Sequence, residues 1–158
     1  MKLYIKQRVF SWADTFFVYD ADGNEKYSVK GEVFSLGRKL HLYDASGSEL
    51  AFVRQKMWSF LPRYFIERNG TTVAEVVKRF TFFRHEYEIK ELGWTVKGDF
   101  FDHSYTVSAG ENVIASVEKE WMTFGDAYEI TLSDGVDVVT ALAVVLVIDA
   151  CIDDQNNN

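Results

Sequence analysis

The chain has 158 residues, with one proline, one cysteine and 16% aromatics, so it is long enough for one well-cored domain and too apolar for a disordered tail. A single cysteine, Cys151, excludes an internal disulfide framework and fits a reducing compartment. The net charge of −7 is uneven: residues 1–90 carry 15 Lys/Arg against 11 Asp/Glu, and residues 91–158 carry 2 against 13. That balance excludes nucleic-acid binding driven by bulk charge and leaves room for a basic patch in the first part.

The opening "MKLYIKQRVFSW" has Lys2, Lys6 and Arg8 where a signal peptide needs an apolar run, so a cytoplasmic protein is expected, with peripheral membrane attachment as an option. From there the chain alternates short period-two apolar segments with glycine turns. "YDADGNEKY", "YDASGSEL" and "IERNGTTV" read as hairpins, because Gly and Asn supply positive φ. The expected strands run roughly 2–10, 15–20, 25–33, 38–44, 49–57, 62–68, 72–80, 85–91, 93–100, 103–108, 112–121 and 126–132.

An internal repeat supports this count. The sets Ala51/Val53/Phe60/Tyr64/Ile66, Ala74/Val76/Phe83/Tyr87/Ile89 and Ala115/Val117/Phe124/Tyr128/Ile130 share one spacing. The second half of the pattern recurs at Trp12/Phe16/Val18, Leu36/Leu40/Leu42 and Phe101/Tyr105/Val107. A turn glycine follows each of the six: Gly23, Gly47, Gly70, Gly93, Gly110 and Gly135. Short, evenly spaced antiparallel strands imply a sandwich, propeller or closed barrel, and a propeller would have too few blades.

The last segment, "DVVTALAVVLVIDAC", is apolar on every side. Its uncharged core, Val138–Ile148, is shorter than the roughly 18–20 residues of a spanning helix. Ala141, Leu142, Ala143 and Leu146 favour a helix at about 136–152, with Asp134 placed to cap it and residues 153–158 as a disordered tail. A helix apolar all round must be wrapped in protein. About eight strands close around side chains alone, whereas about twelve leave a lumen that a helix about 10 Å across fills. The expected architecture is therefore mainly β: a closed antiparallel barrel of about twelve strands threaded by its own C-terminal helix, with Asp137 and Asp149 marking the two mouths.

In residues 6–66, "GDFFDHSYTV" (98–107), "ENVIASVEKEW" (111–121) and "VIDACIDD" (147–154), the chain resembles the LURP-one-related family of the tubby C-terminal-like superfamily, particularly its small bacterial members. The resemblance implies a twelve-stranded barrel around a hydrophobic helix. It also implies distant kinship with tubby proteins, which bind phosphoinositide head groups through basic surface residues, and with phospholipid scramblases. Plant members are associated with pathogen defence. Function carried over from fold alone is analogy.

Lys56, Arg63, Lys78 and Arg84 are the candidate anion-binding patch, within a basic set that includes Arg54, Arg68 and Arg79. The competing reading is a solvated surface paired with Glu75, Glu86 and Glu88. Lys78 and Arg79 are adjacent, so on a regular strand they face opposite sides. "DADGNE" carries the early spacings of a calcium loop, but its glycine is misplaced and Gly31 stands where a bidentate Glu is required. In "DFFDHSY", Asp102 and Ser104 share a face opposite His103, so no local triad forms. His41, His85 and His103 have no metal-ligand spacing, and no cofactor motif is present.

The reading that results is a non-catalytic binding module that engages an anionic lipid, a phosphate-containing ligand or a protein. The alternative is a structural or protein-interaction role without lipid affinity, through aromatics such as Trp58 or Trp121.

Overall fold

The computed structural model describes residues 1–6, 15–32, 35–80, 85–100, 102–122 and 125–156. Twelve strands are formed: β1 (Lys2–Ile5), β2 (Thr15–Asp20), β3 (Glu25–Gly31), β4 (Lys39–Asp44), β5 (Glu49–Gln55), β6 (Arg63–Arg68), β7 (Thr71–Phe80), β8 (His85–Lys90), β9 (Trp94–Asp99), β10 (Ser104–Ala109), β11 (Asn112–Met122) and β12 (Gly125–Leu132). Each pairs antiparallel with its sequence neighbours, and β1 closes on β12 through Leu3↔Ile130 and Ile5↔Tyr128. The result is an up-and-down barrel with no free edge. A helix, α1 (Val138–Asn156), follows β12.

The repeat sets the inner face. Ala51, Val53, Tyr64, Ile66, Ala74, Val76, Tyr87, Ile89, Ala115, Val117, Tyr128 and Ile130 are all buried. Period two sends their side chains into the lumen, where α1 meets them. Helix residues Ala141–Ile148 are buried on every side, as an all-apolar helix requires. The helix lies closest to β5, β6 and β11. Ala51 on β5 and Ala115 on β11 leave room for that approach.

Three expectations change. Asp137, not Asp134, caps α1: its carboxylate accepts from the Val139 N–H and from Thr140 Oγ1 at 2.7 Å, and it ion-pairs with Arg68. Asp134 falls in the preceding turn, three residues before the cap and too early to reach the first free N–H groups. The helix also runs past 152 to Asn156, so residues 153–156 are not tail; a side-chain hydrogen bond between Gln155 and Tyr87 ties down its last turn. Asp149 does not stand in water at the rim: it is fully buried, just inside the end where α1 finishes, beside His103 of the β9–β10 connection.

The barrel's two ends differ. At the end where α1 begins, hairpin turns are tight. Asp20 Oδ1 accepts from the N–H of Asp22 and of Asn24, with Gly23 at φ 84°, so the "DADGNE" carboxylate is spent on its own turn. At the end where α1 finishes, the connections β1–β2, β3–β4, β5–β6, β7–β8, β9–β10 and β11–β12 gather.

Candidate functional site

Large apolar side chains stand in water at that second end. Leu36 is 80% exposed, Trp58 98%, Phe60 100% and Phe80 74%. Met57 is 37% exposed and its sulfur packs over Gly37, where an added Cβ would lie 2.7 Å away, so the β3–β4 and β5–β6 connections are joined. Arg38 and Gln55 reinforce the joint: the Gln55 N–H donates to Arg38 O at 2.9 Å, and the Arg38 N–H to Gln55 Oε1 at 3.2 Å. Trp58 holds φ at 61°, an uncommon conformation for a bulky residue.

Leu36 and Phe60 open the second half of two of the six repeat sets, and with the strand bounds known both lie in connections of this mouth, exposed. Trp12, Phe83, Phe101 and Phe124, which open the other four, lie outside the described residues.

The candidate basic patch is rearranged by the barrel. β5, β6 and β7 are neighbours, and the backbones of Lys56 and Arg63, and of Lys78 and Pro62, hydrogen-bond at 2.8 and 3.2 Å. The side chains part company, however. Lys56 is exposed at the rim. Arg63 is paired with Glu75 at 3.0 Å on the outer wall. Lys78 points inward, in phase with Ala74 and Val76, and is only 6% exposed. Arg84 and the Trp121 side chain lie outside what the structure describes.

Inside the same mouth is a polar cluster that the sequence did not suggest. Asp149 is fully buried on α1; Tyr105 donates its hydroxyl to Asp149 Oδ1 at 2.9 Å, and His103 Nδ1 lies 3.5 Å from the same oxygen. Asp149 Oδ2 has no hydrogen-bond partner. Burial raises the Asp149 carboxyl above its usual range, against the lowering effect of His103 and Tyr105. Burial likewise pushes the Tyr105 and Tyr87 hydroxyls up and pulls the Lys78 ammonium down, the Cys151 thiol on α1 opposing the last. His103 faces in while Asp102 and Ser104 are exposed, but strand alternation is not the cause: Asp102 and His103 lie in the β9–β10 turn, where His103 has φ 52°.

A second cluster lies on the outer wall. His41 bonds Glu49 through Nδ1 and Glu32 through Nε2, the latter at 2.7 Å, and stacks on Phe52. A cavity of about 320 Å³ adjoins it, lined by His41, Glu49, Phe52 and Glu67 among others. Each ring nitrogen is taken by a different carboxylate, so the three groups do not converge on one point. Among the described residues, no group of three or more His, Cys, Asp or Glu is placed to hold a metal ion.

Comparison with known proteins places this barrel. A family model described as LURP-one-related matches residues 1–149. The chain belongs to the LURP-one-related family. It is 40% identical over 149 residues to the uncharacterized protein YxjI of Bacillus subtilis, covering 94% of this chain and 92% of the relative. A protein from Arabidopsis thaliana, solved by X-ray crystallography, superposes with a TM-score of 0.65 at 25% identity, over 98% of this chain and 91% of that one. This LURP-one-related chain thus shares its barrel with a plant protein at low identity. No helix among its described residues is long and apolar enough to cross a membrane.

Proposed function

We propose that this protein is a non-catalytic binding module that docks peripherally on an anionic phospholipid surface through the mouth where α1 ends. One observation carries the reading: at that mouth Leu36, Trp58, Phe60 and Phe80 are all largely exposed. Exposed aromatic and aliphatic side chains grouped at one end of the barrel suit insertion into an interface better than capture of a small molecule. Full burial of a Phe, Leu or Met side chain is worth roughly 1.5–3 kcal/mol, so three or four entering lipid give appreciable binding. Exposed Lys56 beside them adds attraction to anionic lipid.

Sedimentation with phosphatidylcholine vesicles, with and without phosphatidylglycerol, tests this at low and physiological salt. The protein is expected to pellet with the anionic vesicles. The double variant Trp58→Ser/Phe60→Ser should pellet at least tenfold less while melting normally, since both side chains are in water already. A protein that stays in the supernatant with either vesicle refutes the reading. A concentration-dependent dimer in light scattering that the double variant abolishes would assign the rim to a protein contact instead.

A further inference from the structure

A sulfur atom fastens together two of the connections that carry the exposed apolar residues. Met57, in the β5–β6 connection, is 37% exposed, and its sulfur occupies the space that a side chain at Gly37 in the β3–β4 connection would need. Gly37 holds φ at 80°, and Ser35 Oγ donates to its carbonyl at 2.6 Å. The thioether thus packs one connection onto the other, beside the Arg38–Gln55 hydrogen bonds at the strand ends.

The next residue gives that contact a consequence. Trp58 is 98% exposed and holds φ at 61°. A bulky residue keeps such a φ only where its surroundings impose it, and an indole standing in water imposes nothing. On its N-terminal side the chain is fixed by the Met57 sulfur on Gly37 and by the Lys56 N–H, which donates to Arg63 O at 2.8 Å. On its other side Phe60 is fully exposed. The presentation of Trp58 therefore depends on an apolar contact made by an oxidisable atom.

We infer that Met57 is a peroxide-sensitive modification site that regulates the docking mouth. The thioether sulfur attacks one oxygen of a hydroperoxide, forming the S–O bond as the O–O bond breaks. The proton on that oxygen passes to the other, which leaves as water or an alcohol, so sulfur is oxidised to the sulfoxide and the peroxide is reduced. The sulfoxide is polar and one oxygen larger, so the side chain leaves the glycine face for water. The two connections then part, and Trp58 is released from its pose. The regulatory consequence rests on the docking reading, whereas the Met57–Gly37 contact and its chemistry do not.

The full chain is treated with dilute hydrogen peroxide, Met57 sulfoxide is quantified by peptide mass spectrometry, and the Gly37 amide is followed by NMR. Oxidation is expected to shift that amide and to cut pelleting with phosphatidylglycerol vesicles at least fivefold, both restored by a methionine sulfoxide reductase. Met57→Leu keeps an apolar contact and has no sulfur; it should pellet like untreated wild type and ignore peroxide. Met57→Gln, polar from the outset, should pellet like the oxidised protein. Peroxide that acts equally on wild type and Met57→Leu assigns the effect to Met1 or Met122 and overturns the inference. So does a Met57 that resists oxidation, or a docking-competent protein whose fully oxidised Met57 leaves the Gly37 amide or the pelleting unchanged. Untreated wild type that pellets with neither vesicle refutes the docking reading instead, while a Gly37 amide that moves on oxidation of wild type and not of Met57→Leu still establishes the switch between the two connections.

Discussion

Asp149, fully buried on α1, lies 3.5 Å from Nδ1 of His103, 46 residues earlier in the connection between β9 and β10. The pair joins the plug to the wall at the end that carries exposed Leu36, Trp58, Phe60 and Phe80. It is also a liability, because Asp149 has no exposure and its Oδ2 has no partner.

That geometry sets a sign. Burial raises the folded-state pKa of Asp149, so the protonated form is favoured by folding. Its contribution to stability is full below the unfolded value of about 3.9 and is lost as pH rises through the folded one. Asp149→Asn keeps an acceptor for Tyr105 and removes the charge. The variant is expected to be more stable than wild type at pH 8, by about 1 kcal/mol, with the gain shrinking as pH falls toward 4. Urea melts at the two pH values decide it, and a variant less stable at pH 8 contradicts the account.

Tyr105 reaches Asp149 because β9 has no side chain beneath it. Gly98 pairs with Tyr105, and a Cβ there would lie 2.4 Å from Ser104 O and 2.5 Å from Tyr105 Cα. Both are backbone atoms, so β9 and β10 would have to separate. Gly98→Ala is expected to cost about 2 kcal/mol or more, well above Gly47→Ala, where only a positive φ of 88° stands against the substitution. Equal urea midpoints for the two variants would mean that the contact is relieved at no cost.

Much of this architecture is written in the sequence, for identifiable reasons. Tyr64/Ile66, Tyr87/Ile89 and Tyr128/Ile130 repeat at period two, which only a one-sided strand demands, and the barrel follows from their number. The α1 segment is legible because its uncharged run is too short to span a bilayer and too apolar to face water. Asp149 was legible only as a charge, and a charge ordinarily marks a mouth; its partners lie on β10 and the connection before it, a distance no local pattern spans. Lys78 is the instructive case. The phase of Ala74 and Val76 already turns it inward, while its charge argued for the surface, and phase prevailed.

The centre of α1 offers a direct test of the plug. Val145 is fully buried, and its carbonyl accepts from the Tyr105 hydroxyl at 3.2 Å. Val145→Asp places a carboxylate among apolar side chains at a cost of several kcal/mol, comparable with a domain's whole stability. It is expected to abolish cooperative melting, whereas Val145→Ala should fold and melt lower. A sharp thermal transition in the aspartate variant would show that α1 is not the core.

His41 supplies a pH signature that a free imidazole would lack. Burial lowers its pKa, but hydrogen bonds from Glu49 and Glu32 outweigh it and the net shift is upward. A histidine raised on folding stabilises fully below its unfolded value of about 6.5 and ceases to as pH rises through the folded value. The stability difference between wild type and His41→Gln should therefore be largest at about pH 5–6 and fade toward alkaline pH. Glu49 is substantially exposed, so the difference stays below about 1 kcal/mol and shrinks further in 1 M salt. Calorimetry of both proteins across pH 5–9 reads it. A difference that is constant with pH would assign His41 to stacking on Phe52 rather than to its two carboxylates.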